Sequence, residues 1–241
     1  MLTSLIPGMR HFRTPFAVGV LVVLQVWAFA GEAIPRPGEA SGFMARLYEL
    51  CEFAGRPVML PVAGFVLYLI GDVASASADV LNRLYQYFTK GAYCLTPEGQ
   101  TQLFTFACTA QAPVDLAEID IALARRTAAS IVHEFPDIRM RLIANNLDVY
   151  LEHDRLESEA EFRVNVAWSA SILWCVLAIV WSPWVLLMLL PTFALGRIGV
   201  VALRSANSIL VQSLSAGIVE STRFAEFQRR NRDNSNDALT I

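Results

Sequence analysis

Lysine is almost missing from this chain: Lys90 is the only one among 19 basic residues, and the rest are arginine. Such a bias points to a GC-rich, bacterial coding sequence rather than to a function. Charge is scarce as well, at 17% of the 241 residues against about 25% in an ordinary soluble domain. With a net charge of −3, the chain has no global positive field to draw in a phosphate backbone, so no nucleic-acid partner is expected. The four cysteines, Cys51, Cys94, Cys108 and Cys175, form no C-x-x-C pair. A structural zinc site needs four clustered nitrogen or sulfur ligands, so no metal and no cofactor is expected. Cys94 and Cys108 read as free thiols facing a reducing compartment.

Catalytic signatures are missing too. His133-Glu134 does not continue into H-E-x-x-H, because position 137 is Asp137 and Pro136 interrupts the helix. Neither a G-x-S-x-G elbow nor a G-x-x-x-x-G-K-[ST] phosphate loop occurs. The expectation is therefore a protein that is not an enzyme.

What the chain has is apolar sequence, 55% of its residues, gathered into long runs. A span needs about 20 apolar residues. Val164 to Val201 is too long for one span and divides at Trp181-Ser182-Pro183-Trp184. Pro cannot donate to the helical ladder, and Trp suits the membrane–water boundary. This predicts a tight hairpin of two spans, Val164 to Trp181 and Trp184 to Val201. Phe16 to Ala30 and Pro57 to Ala74 supply two more. Ala28-Phe29-Ala30 also fits a signal-peptide cleavage site, the competing reading of the first run. Lys and Arg near span ends number eight on one side (Arg10, Arg13, Arg83, Lys90, Arg155, Arg163, Arg197, Arg204) and three on the other (Arg36, Arg46, Arg56). The positive-inside rule then places both termini in the cytoplasm of a multi-pass protein of the bacterial inner membrane.

The fold expected is an all-α integral membrane protein with about four transmembrane helices, in two pairs, and a helical cytosolic extension between spans 2 and 3. Four regions follow: 1–78, a transmembrane pair with a short outer amphipathic segment; 79–163, a cytosolic helical domain; 164–202, the hairpin; 203–241, a cytosolic helix and disordered tail. In the outer segment, Ser41 to Ala54 places Phe43, Leu47, Leu50, Cys51 and Ala54 on one face, opposite Arg46, Glu49 and Glu52. Either a helix lying on the membrane or one packed over the spans would show that pattern. In the cytosolic domain, Tyr93 to Gln111 reads as a loop whose Leu103, Phe104 and Phe106 enter a local core. Pro113 fits the first position of a helix ending near Phe135. Pro136 then begins an unbroken helix that continues into the third span and projects about 40 Å from the bilayer. The segment from Leu203 to Phe227 reads as one further helix.

Candidate functional residues fall into three sets. Ser205, Asn207, Ser208, Ser213 and Gly217 form a small polar face for packing or for lining a pore. Asp72 is the one ionisable group near membrane depth and hence a candidate for an ion-linked role. Glu152, Glu157 and Glu159 are candidates for docking a cytosolic protein. His153, Glu157 and Glu161 follow each other at i, i+4, i+8, a spacing usable by a metal but read here as a solvated acidic face. Arg126 and His133 are spaced in a way that resembles the Arg–His motif of HEPN-type ribonucleases, although Thr127 stands where a more polar residue is usual. The expected function is a non-enzymatic, self-associating membrane protein, a pore-forming effector (for instance of a defence system) or small channel docked or gated through its cytosolic helices. A membrane scaffold that recruits a cytosolic protein is the alternative, and a membrane-anchored hydrolase or nuclease a third. Its partners are membrane lipid, copies of itself and a cytosolic protein.

Overall fold

A computed structural model describes residues 7–88, 95–109 and 121–229. The start of the helix expected at Pro113, the thiol of Cys94 and the tail beyond residue 229 lie outside the described residues. Within them the chain is helical, and no strand occurs. The helices are α1 (Pro7–Ala30), α2 (Phe43–Phe88), α3 (Pro97–Thr109), α4 (Ile121–His133), α5 (Phe135–Asn145), α6 (Leu147–Val180), α7 (Leu189–Ser215) and α8 (residues 222–229).

Four segments are long and apolar enough to cross a membrane: Phe12–Ala33, Phe43–Ala76, Leu147–Val180 and Pro183–Ser215. At most 28% of any such stretch is buried against the chain itself. In water that much uncovered apolar surface would be untenable, whereas in lipid it is the solvated state. In α6 the apolar part is residues 164–180, because Asp148 to Arg163 carries charges throughout.

The chain forms two compact units. The first joins residues 1–89 to 158–200. Its α1 and α2 cross at two glycines: a Cβ on Gly19 would overlap the Leu67 carbonyl, and one on Gly71 the Pro15 carbonyl. Close backbone approach through small residues replaces the drive that water supplies elsewhere. Gly199 serves α6 and α7 similarly, its face lying against Val164 and Ala160. Polar groups tie the same unit together. Gln25 donates to the Ser169 carbonyl at 2.7 Å and the Trp174 indole to the Thr192 hydroxyl at 3.0 Å. Arg13 lies 4.1 Å above the Phe162 ring.

The second unit joins residues 90–157 to 201–241. Leu103 of α3, Ile131 of α4, Phe135, Ile138 and Leu142 of α5, and Leu210, Val211 and Leu214 of α7 form its core. Phe106 packs against it and stacks on Phe224.

Several local expectations differ from the structure. Residues 97–109, read as a loop from Pro97 and Gly99, form α3. The Thr96 hydroxyl accepts from the Gly99 amide at 3.1 Å, so Thr96-Pro97-Glu98 is a helix start rather than a break. The helix expected to run unbroken from Pro136 ends at Asn145. Asn146 is extended (φ −152, ψ 93), and its side chain accepts from the Val149 amide, capping α6. After Ser182 the chain turns through a 3-10 stretch, Pro183–Met188, before α7 begins. α7 ends at Ser215, because Gly217 takes a positive φ of 70° and the backbone folds back onto the Ser213 carbonyl.

Candidate functional site

Glu134 sits between α4 and α5, where Pro136 stops the first helix from continuing. Its carboxylate is buried and gathers donors from a segment almost ninety positions away. Ser221 donates its hydroxyl at 2.6 Å, Thr222 its hydroxyl at 2.6 Å and its amide at 2.8 Å, and Arg223 its amide at 3.2 Å. Arg141 adds a charged contact at 2.9 Å. The amides belong to the first turn of α8, where positive partial charge accumulates and a carboxylate is favoured. Burial alone would raise the Glu134 pKa, but the hydrogen bonds from Ser221, Thr222 and Arg223 outweigh it and bring it down to about 2. The same Arg141 also donates to the Glu220 carbonyl at 2.7 Å. Glu134 is thus the clamp that holds the chain beyond α7 onto α4 and α5.

Beside this clamp lies an open cleft of about 260 Å³ lined by His133, Glu134, Asp137, Thr222, Arg223 and Glu226. The Glu134 oxygens face their own donors, which leaves Asp137, Glu226 and His133 as the cleft's exposed acid and base groups. Among the described residues no three His, Cys, Asp or Glu side chains are placed to hold a metal. His133 reaches the cleft and Arg126 is not among its lining residues, although both are exposed on α4.

His153 is the second unusual group. It is buried, and neither ring nitrogen has a hydrogen-bond partner. The nearest carboxylate, Glu157, lies 3.9 Å from Nδ1 and is held by Arg139 at 2.6 Å. Asp154 also faces Arg139, at 3.6 Å. Desolvation, and then the Arg139 charge, push the imidazole pKa down to about 4, so His153 is neutral near pH 7. The face read from sequence as solvated therefore begins with a buried neutral imidazole and continues into an ion pair.

The other expected residues are dispersed. Ser208 is buried in unit 2; its hydroxyl lies 2.9 Å from that of Thr96 and accepts from the Thr96 amide. Ser213 is buried and donates to the Leu210 carbonyl, and Ser205, half-buried, donates to the Val201 carbonyl. Asn207 is half-buried, and Gly217 forms the turn after α7. Asp72 is exposed on α2, next to the Gly71 crossing. Glu152 pairs with Arg155, Glu157 with Arg139, and Glu159 with Arg163. Cys51, Cys108 and Cys175 are free thiols.

Sequence reasoning gave Glu134 no role. Its partners are remote in sequence, and the only local signal is an acidic residue ahead of Phe135-Pro136. The apolar stripe of the projecting helix, Leu147 and Leu151 included, is expected from sequence to pack on the inner ends of the other spans or on the same helix of a second copy, whereas Met140 and Ile143 carry no sequence signal of their own. α5 turns Phe135, Ile138 and Leu142 into the core, yet Met140 is 68% exposed and Leu147, at the start of α6, 55% exposed. Ile143 and Leu151 are exposed in the same stretch, beside exposed Asp148 and Glu152. Compared with known protein families, characterised proteins and solved structures, the chain matches none.

Proposed function

We propose that the chain is a non-enzymatic membrane protein whose helical unit 2 docks a protein partner. The observation that carries this reading is the exposed apolar stretch Met140, Ile143, Leu147 and Leu151, on helices whose other faces already build the core of unit 2. Uncovered apolar surface rimmed by polar residues is the usual mark of an interaction site. The exposed acid Asp148 beside it favours a partner whose apolar patch is framed by arginine or lysine. Glu152 and Glu157 contribute less to such a surface than their sequence positions suggest, because Arg155 and Arg139 already hold them. The test is cross-linking in cells with the native chain and with Met140→Asp plus Leu147→Asp. The double variant should lose the cross-linked partner while its elution in detergent stays unchanged. An unchanged cross-link would overturn the proposal.

A second reading is self-association into a pore or small channel of a bacterial inner membrane. It draws on the polar side chains Thr14, Asn165, Ser169 and Thr192, buried inside unit 1 in its apolar helices, since polar groups at membrane depth often mark a pathway. Ion flux from reconstituted liposomes decides it: absence of flux under every stimulus removes the pore and leaves the docking protein.

A further inference from the structure

We propose that the first arm of α2, residues 43–54, lies in the membrane–water interface with its apolar face in the acyl-chain boundary of the bilayer. The sequence pattern fits equally a helix packed down on the spans, and the structure separates the two. The arm's contact with its own chain is made by the other side: Tyr48 donates its hydroxyl to the Pro35 carbonyl at 2.8 Å, and Met44 and Ala45 are half-buried next to it. The large side chains of the apolar face are turned out, with Phe43 77% and Leu50 54% exposed and Leu47 exposed between them, while the small Cys51 and Ala54 near the bend are half-buried. A packed lid would hide the large side chains first.

What covers them follows from where the arm is attached. It ends at Gly55, whose φ of 70° and ψ of 166° bend α2 sharply in a conformation that glycine tolerates best. Pro57 and the apolar stretch of α2 follow directly. Phe53, 91% exposed, is thus two residues from the bend. On the other side, α1 ends in exposed Trp27 and Phe29, residues suited to the headgroup level. The arm is therefore tethered at both ends to the same edge of the α1–α2 pair, where the acyl boundary is the apolar phase within reach. Glu49 and Glu52 are exposed on the side of the arm away from Leu50, and exposed Arg46 lies at the edge of the apolar face, one turn before Leu50, where its long stem reaches toward the headgroups. An amphipathic helix of this kind inserts its apolar face to the depth of the headgroup–acyl boundary.

This inference rests on α1 and α2 crossing the bilayer, and the experiment separates the two claims. Nitroxide labels are placed singly at Leu50→Cys, Glu49→Cys and Leu60→Cys in a full-length chain whose four native cysteines are replaced by serine, reconstituted in phosphatidylcholine–phosphatidylglycerol vesicles. Collision with oxygen should exceed collision with a water-soluble nickel chelate several-fold at 50 and 60, with the order reversed at 49. A label at 50 shielded from both reagents would mean that protein covers the face, and would overturn the proposal. Nickel access at 50 with oxygen preference kept at 60 would overturn the interfacial arm while leaving the spans in place. Nickel access at 60 as well would remove the spans and the proposal together. Leu50→Trp in the native cysteine background gives an independent reading: chain-brominated lipids should quench more of its fluorescence than that of the native protein, and equal quenching would count against insertion.

Discussion

Two buried ionisable residues give unit 2 an acid sensitivity in two steps, and the sign is the same for both. Glu134 has a pKa of about 2 in the folded chain against an ordinary value of 4.5. The folded state therefore binds its proton less readily than the unfolded one. Its contribution is complete above pH 4.5 and is lost as pH falls through 2, about 3 kcal/mol at full size. His153 is depressed from 6.5 to about 4, so its contribution is intact above pH 6.5 and lost progressively on the way to 4, again about 3 kcal/mol at most. Glu134→Gln should expose the amides of residues 222–229 to hydrogen exchange at pH 7 and flatten the lower step. His153→Leu should abolish the upper step and leave stability at pH 7 equal or higher, since it replaces an imidazole without partners by an apolar group. Hydrogen exchange of unit 2 between pH 7 and 3 reads both, and an unchanged upper step in His153→Leu would refute this account of His153. Neither role was legible in the sequence. A buried imidazole and a solvated one share the same i, i+4 spacing, and the partners of Glu134 lie far along the chain.

At the scale of the helix, glycine decides which contacts tolerate change. Gly19 and Gly71 face carbonyl groups of the opposite helix at less than contact distance for a methyl group, whereas a Cβ on Gly64 would meet only the Phe16 ring edge at 3.9 Å. Backbone cannot step aside as a flexible side chain can. Gly71→Ala should therefore force α1 and α2 apart and destabilise unit 1 by roughly 1–3 kcal/mol, read as a lower midpoint of thermal unfolding in detergent. Gly64→Ala should leave the midpoint unchanged, and equal behaviour of the two variants would refute the close crossing. Asn146→Ala removes the cap of α6 and should cost about 1 kcal/mol in unit 2. The apolar stretches were legible because a span needs only length and composition, and the Trp181–Trp184 break was legible because Pro183 forbids continuation. Boundaries set by one side chain were not. Thr96 and Asn146 cap helices through single hydrogen bonds, and a Thr-Pro or Asn-Asn pair by itself fits a loop, a helix start or a helix interior.

For the whole molecule, the helices that enter unit 1 also build unit 2. α6 carries residues of unit 2 up to Glu157 and of unit 1 from Ser158, and α7 passes from the first unit to the second after Val200. Two crossings by α6 and α7 would leave residues 121–157 and the described chain after α7 on one face of the membrane, and the expectation that this face is the cytoplasm rests on the arginine count alone: eight basic residues near span ends on the side of residues 79–163, against three on the other. Such asymmetry sets orientation because basic residues near span ends resist translocation. The consequence is open to direct test. Alkaline phosphatase, active only outside the cytoplasm, should be active when fused after Gly38 or inserted at Ser182, and inactive when fused after residue 157 or at the C-terminus. Green fluorescent protein at the same four places should give the complementary pattern. Activity after residue 157 would invert the whole arrangement and place the apolar stretch around Met140 outside the cell. Activity at the C-terminus as well as at Gly38 and Ser182, with none after residue 157, would mean that the Trp181–Trp184 segment does not turn the chain back, leaving an odd number of spans. The docking proposal survives only the arrangement in which residues 157 and 241 report the same, cytoplasmic side.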